Sequence, residues 1–356
     1  TRSGPQSRGL GDVYKRQVRE SAALAIGLLR RTHPELQQTA ADLDGLRERL
    51  IEVVRDKKDE LRVRSFAALA LGLLGDQPFA TPYTKDGRMV VKALWEGFGP
   101  KPKNADLPVC MMTALGMQPS AGVPDAIREG LKEIVVGKQL HRRRWTPFER
   151  SHALTALARI GGPGVDALLK RVIERPGEHA ELRRAACIAL GPLAPGMTTE
   201  RRAEFAAIVE DSLKRKRDPV TTGMAYIALA RLLAADLEAK QVTVLQESDV
   251  TRTLLEAAEM GTSISRGYAV LALAFAAQGA KATGRAMPFY AAAKKLIVNG
   301  LATGRGDDSM RATYAVGCGL LGLEDQIDAL LEIVRDIGTM PVLRGHAAVA
   351  LGQIGR

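Results

Sequence analysis

Along most of the chain, apolar residues recur every three to four positions, the spacing that lays one apolar stripe along an α-helix. Leu46, Leu50 and Val53/Val54 form one such stripe. The stripes also repeat on a longer period. A phrase returns again and again: an arginine, two residues, two mostly small apolar residues, then Ala-Leu-Gly or a close variant. It reads Arg19-Glu-Ser-Ala-Ala-Leu-Ala-Ile-Gly27, Arg64-Ser-Phe-Ala-Ala-Leu-Ala-Leu-Gly72, Arg183-Arg-Ala-Ala-Cys-Ile-Ala-Leu-Gly191 and Arg344-Gly-His-Ala-Ala-Val-Ala-Leu-Gly352. Weaker copies with the same internal spacing end at Gly116, Ala158, Ala230, Ala274 and Gly319. The nine end points lie 45, 44, 42, 33, 39, 44, 45 and 33 residues apart, a period that belongs to repeat architectures.

Each copy predicts the first helix of a hairpin. A second amphipathic segment follows most of them: 43–54, 89–98, 126–136, 165–173, 203–213, 250–258, 289–301 and 326–334. The boundaries carry helix punctuation. Thr146-Pro147 and Asp218-Pro219 place a capping side chain before a proline suited to the first helical position. Gly75, Gly161, Gly322 and Gly355 lie three residues past the recurring small residue, where a left-handed cap is expected. The small end-point residues, six Gly and three Ala, predict close approach of the two helices of a hairpin.

The Val-Arg-x-x-Ala-Ala-x-Ala-Leu-Gly phrase resembles the HEAT family, especially the short HEAT-like repeats also found in phycobilin lyases. The resemblance runs from Gln17 to Arg356. It implies an all-α fold, an α-solenoid of about nine HEAT-like helical-hairpin repeats. It is specific for architecture and weak for function, because such solenoids host many unrelated roles. The ninth repeat is incomplete: the chain ends at Arg356, shortly after Gly352, with no second helix and no polar capping repeat. The expectation is a fragment of a longer protein, with Val349 and Leu351 less buried than Ile188 and Leu190. Residues 1–17 show no amphipathic pattern, and Gly11 to Gln17 resembles a translated adapter scar. They are set apart as a non-native or disordered leader, leaving 18–356 as one continuous array.

Composition narrows the picture further. Of 356 residues, 46% are hydrophobic but only 4% aromatic, so the core is expected to be Ala, Leu, Val and Ile packed through close helices. The longest apolar stretch, Ala312 to Leu323, is shorter than the roughly 18 residues of a membrane span. Cys110, Cys187 and Cys318 fall in apolar helical segments and read as buried free thiols. Net charge is +11, and excluding the leader's four basic residues and one acid leaves 11 − 3 = +8. Such a balance permits an acidic partner. Compartment is left open, because the native N-terminus is expected to be missing from the sequence.

Few residues suggest chemistry. Arginine opens seven of the nine phrases, at Arg19, Arg64, Arg150, Arg183, Arg266, Arg311 and Arg344. They are read either as a cation ladder facing a ligand or as side chains bonded to carbonyls or to acids such as Glu60, Glu181 or Asp308. His152 and His346 occupy a slot that elsewhere holds Ser, Phe, Cys, Ala, Met, Tyr and Thr, and so read as packing. No Cys/His spacing suits a metal. No phosphate loop, nucleophile elbow or HExxH is present; Gly161-Gly162-Pro163-Gly164 reads as a turn. No cofactor and no catalysis are expected.

One feature stands above this background. The loops joining a second helix to the next first helix should share an edge of the solenoid. Read in order they carry Lys57-Lys58, Lys101 and Lys103, Arg142-Arg143-Arg144-Trp145, Arg171 and Arg175, and Lys214-Arg215-Lys216-Arg217. One reading is a surface for nucleic acid or another polyanion, with Trp145 stacking on a base. The other is that basic residues complement helix C-termini. The expected function is a non-catalytic scaffold presenting its second helices to a protein partner. The alternatives are polyanion binding along the basic edge and, from the family resemblance alone, a HEAT-like chromophore lyase for which no residue here can be assigned.

Overall fold

Each recurrence of the phrase lies on or directly against an α-helix in the computed structural model, which describes residues 15, 17–28, 40–75, 89–98, 105–215, 218–239, 250–282, 288–303 and 307–355. The first helices are α1 (residues 17–28), α3 (Leu61–Leu74), α5 (Asp106–Leu115), α7 (Pro147–Ile160), α9 (Ala180–Leu193), α11 (Pro219–Glu238), α13 (Ser263–Ala282), α15 (Asp308–Leu321) and α17 (Pro341–Ile354). The second helices alternate with them: α2 (Ala40–Arg55), α4 (Met89–Glu96), α6 (Asp125–Val135), α8 (Val165–Glu174), α10 (Thr199–Lys214), α12 (Val250–Met260), α14 (Pro288–Thr303) and α16 (Ile327–Arg335). Among the described residues there is no strand, only an isolated bridge between Leu140 and Arg143. The leader lies outside the described residues except for Lys15 and Gln17, which are helical.

The helices form two compact units, Thr1–Leu168 and Leu169–Arg356, with α8 at the division. In the first, α3 packs on α5 and α5 on α7; in the second, α9, α11, α13, α15 and α17 pack in succession. Within each unit the even helices pack against the odd helix that follows. Leu71, Leu115 and Leu157 in the first unit, and Leu190, Leu229 and Leu273 in the second, are fully buried between these layers. Burying each such side chain is worth roughly 1.5–3 kcal/mol.

The small end-point residues do permit close approach, but of a different pair of helices from the one the sequence suggested. A Cβ built on Gly27 would lie 2.7 Å from the Cα of Ala70, one on Gly72 2.7 Å from Ala114, one on Gly116 2.9 Å from Ala156, and one on Gly319 2.7 Å from Ala350. In every case the glycine ending one phrase meets the alanine two places before the end of the next. The contact joins the first helices of successive repeats, not the two helices of a hairpin. Where the phrase ends in Ala230, Gly279 of α13 supplies the approach instead, against Ala234 of α11. Gly191 instead lies under the Arg231 side chain, and Gly352 faces open space.

Helix ends mostly follow the punctuation. Thr146 and Glu149 form a reciprocal capping box at α7, and Asp218 caps α11 through the Thr221 amide. Gly322 takes the left-handed conformation, and Gly75 and Gly161 have positive φ with extended ψ. Gly355 does not follow the expectation: its φ is −79°, so α17 ends without a left-handed residue. The burial comparison at the chain's end divides. Leu351 is half-exposed where Leu190 is buried, but Val349 at 54% exposure is only a little more open than Ile188 at 45%, because that phrase position faces outward in both helices. One helix, α11, is by length and composition apolar enough to cross a bilayer, which the apolar-stretch reading did not anticipate; 67% of its most apolar window is buried inside the fold.

Basic side chains on second helices stitch the layers together. Arg47 donates to the Gly75 carbonyl at 2.8 Å, and Arg128 to Gly161 at 3.2 Å and to Ser120 and Val123 at 2.6 and 2.7 Å. Arg202 donates to Met197 at 2.5 Å and pairs with Asp236 at 2.8 Å. These carbonyls belong to helix ends or intra-hairpin loops, where the regular helical ladder no longer supplies a partner.

Candidate functional site

Five of the seven arginines that open the phrases are spent on structure. Arg64, Arg150 and Arg344 each reach back to a carbonyl near the end of the preceding second helix: Val54 at 2.9 Å, Val135 at 2.7 and 2.9 Å, and Val334 at 3.0 Å. Arg183 donates to Pro176, and Arg19 pairs with Asp59. None of the contacts just named for these five arginines goes to Glu60, Glu181 or Asp308. The helix C-terminus, with its unpaired carbonyls and partial negative charge, is the better acceptor. For Arg64, Arg150, Arg183 and Arg344 the cation-ladder reading gives way to a capping role, and for Arg19 to an ion pair.

The basic edge breaks up in the same way. Lys57 and Lys58 are exposed, but Asp56, Asp59 and Glu60 flank them. Lys101 and Lys103 lie outside the described residues, as do Lys216 and Arg217. In the second unit, Arg175 pairs with Glu178, and Lys214 and Arg215 both turn to Asp211 at 3.9 and 2.9 Å. Arg215 also donates to the Glu174 carbonyl at 2.9 Å.

In the first unit the turn between α6 and α7 holds Arg142, Arg143, Arg144 and Trp145 in two orientations. Leu140 and Arg143 exchange backbone hydrogen bonds at 3.3 and 3.1 Å, closing a two-residue turn on His141 and Arg142. Both central residues have positive φ, 53° and 57°. A turn of this kind suits Asn-Gly, and side chains bearing a Cβ occupy it at a cost of order 1 kcal/mol each. Packing holds it in place. His141 sits against Trp95 and Phe98, with ring centroids 5.0 and 5.8 Å apart, and Trp145 meets Phe98 edge-on at 5.6 Å. Arg143 lies over the Trp145 ring at 4.1 Å and is ion-paired to Glu149, whose other oxygen accepts from Thr146. Trp145 is 6% exposed, so the base-stacking role expected for it is corrected: its ring face is already covered. Arg143 is likewise turned inward, at 9% side-chain exposure. Arg142 and Arg144 remain exposed, and neither has an ion-pair partner among the described residues. Nothing in the sequence distinguished Arg143 from its neighbours except Glu149 six residues on.

Burial pushes the His141 imidazole below its ordinary value, with help from Arg143, and burial does the same to His152, which packs on Phe148. Burial raises the Cys318 thiol to about 12, with Asp325 adding to it. Cys187 and Cys318 are buried and Cys110 is partly so. At Asp218, burial works to raise the pKa, but the Thr221 hydroxyl and amide and the Arg184 guanidinium outweigh it and hold the carboxyl at about 2. Among the described residues, no three His, Cys, Asp or Glu side chains gather as a metal site would need.

The feature the sequence did not reveal is a groove of about 900 Å³ in the second unit, between α12 and α14. Its apolar lining comes from Leu255, Ala258, Ala292 and Leu296, with Tyr314 of α15 beneath. Gly300 makes room for that ring, since a Cβ there would come within 2.4 Å of it. Glu259, Lys295 and Asn299 stand at the rim, exposed and with no side-chain partner among the described residues. A smaller cavity of about 380 Å³ lies between α13 and α15, around Tyr268 and Met310.

These features define an all-α protein of the helical-repeat class, a solenoid with a HEAT-like repeat. No protein-family model matches the sequence, and no curated protein does. Solved structures resemble it. The karyopherin Kap121p bound to the SUMO protease Ulp1p superimposes with a TM-score of 0.52 at 14% identity, over 98% of this chain and 36% of the karyopherin. Kap121p bound to Pho4p gives 0.51 at 15% identity, over the same shares of each chain. The chain thus spans about a third of the length of the karyopherin it matches. Human deoxyhypusine hydroxylase gives 0.34 at 18% identity, covering 88% of this chain and 97% of that one, a likeness too low to carry an argument. At these identities the comparison shows the fold.

Proposed function

We propose that this chain is a non-catalytic scaffold that binds a partner protein in the groove between α12 and α14. The groove carries the reading: it joins an apolar lining to polar side chains that have no side-chain partner among the described residues, the combination expected of a recognition site. The likeness to a karyopherin solved with bound proteins agrees with that role. Stripes at Ala292, Leu296, Gly300 and Thr303 on α14 and at Leu255, Ala258 and Glu259 on α12 face a common occupant.

Peptides selected by display on the purified chain test the proposal against a Leu296→Glu variant. Leu296 is half-buried in the groove wall, so the new carboxylate disturbs the groove more than the fold. Selected peptides should bind the variant at least about tenfold more weakly, the cost of setting a charge against an apolar contact. Binders indifferent to the substitution would contradict it.

A further inference from the structure

We infer that the turn between α6 and α7 is a recognition site for a phosphate monoester on a segment of a partner protein, held by Arg142 and Arg144. The proposal rests on the protein-partner reading only for where the phosphate comes from. Three observations carry it. First, the turn keeps a bulky cationic residue, Arg142, at a positive φ where glycine would sit without strain. The aromatic packing of His141 and Trp145 and the Arg143–Glu149 pair over-determine that conformation. Backbone strain sustained by its surroundings is a pointer to function.

Second, the inward turn of Arg143 and Trp145 leaves Arg142 and Arg144 as the outward cations of the segment, both exposed and without a paired acid among the described residues. Nearby lysines differ: Lys132 is bonded to Glu129 and Lys138 to Glu133. Third, two guanidiniums offer fixed positive charge and planar donors, which match the charge of close to −2 and the oxygens of a phosphate monoester. A long polyanion would need the positive charge to continue along the edge. In this unit the described turn before α3 instead sets Asp56, Asp59 and Glu60 around its two lysines.

Both tryptophans of the chain, Trp95 and Trp145, pack in this cluster, so intrinsic fluorescence reports on the site. The experiment titrates the full chain at low salt with acetyl-Gly-Ala-phosphoserine-Ala-Gly-amide, the matched serine peptide, inorganic phosphate and a short DNA duplex. The expected result is saturable binding of the phosphopeptide, at least about tenfold tighter than the serine peptide. Arg142→Gln/Arg144→Gln should weaken it by about tenfold or more, while Leu296→Glu leaves it unchanged. That last arm separates this site from the groove. Arg142→Gly should weaken phosphopeptide binding yet raise the unfolding temperature, an opposition that a purely structural arginine would not produce. Equal binding of the two peptides, or binding indifferent to the double variant, would overturn the proposal. A duplex bound more tightly than the phosphopeptide would overturn it in favour of a polyanion surface, and inorganic phosphate bound as well as the phosphopeptide would overturn its assignment to a protein segment.

Discussion

A guanidinium carries five N–H donors in one plane, and Arg202 shows what the fold does with them. Its side chain is 2% exposed and Asp236 is fully buried, so each charge depends on the other. Arg202→Met should leave the Asp236 carboxylate unpaired and cost about 3–5 kcal/mol, whereas adding Asp236→Leu should recover most of the loss; urea unfolding of the single and double variants measures both. The half-buried imidazoles of His141 and His152 make a second residue-scale statement. Burial first, and Arg143 as well for His141, holds them below the ordinary 6.5. As pH falls through 6.5 the unfolded chain takes up protons that the folded chain does not. Their share of stability is therefore complete above that pH and lost progressively below it. His141→Asn, with a side chain that tolerates the positive φ of the turn, should flatten the decline in unfolding temperature on going from about pH 7 to pH 5.

At the scale of the helix, the repeat is held by one contact used several times: the glycine that ends a phrase lies against the alanine two places before the end of the next. Gly72→Ala would set a Cβ 2.7 Å from the Ala114 backbone and 2.9 Å from the Met117 sulfur. The backbone cannot yield as a side-chain tip would, and the substitution should destabilise by about 1–3 kcal/mol. Gly352→Ala, in open space on α17, should be neutral or stabilise by up to about 1 kcal/mol through helix propensity. Thermal unfolding of the pair tests whether the contact, and not the loss of glycine, is what matters. The helices themselves were legible in the sequence because a spacing of three to four within a period of about 41 leaves little else for Ala and Leu to do. Which helix each glycine meets was not legible, since a local phrase does not say which neighbour lies across it. The inward turn of Trp145 was hidden for the same reason: its partner Phe98 is 47 residues away in the sequence.

At the scale of the whole chain, the basic edge looked like the site because charge is visible in a string of letters. Folding pairs Arg143, Arg175, Lys214 and Arg215 with nearby acids or carbonyls, and only the placement of α12, α14 and Tyr314 reveals the groove. Its lining residues are common ones, Leu, Ala, Lys and Asn, at helical spacing that reads equally well as an ordinary helix face. The most direct measurement is hydrogen exchange on the full chain with and without a saturating selected peptide. A scaffold that binds through its second helices should gain protection at residues 255–259 and 292–303, with the first helices little changed. Protection confined to the first helices or the inter-repeat turns would contradict that account.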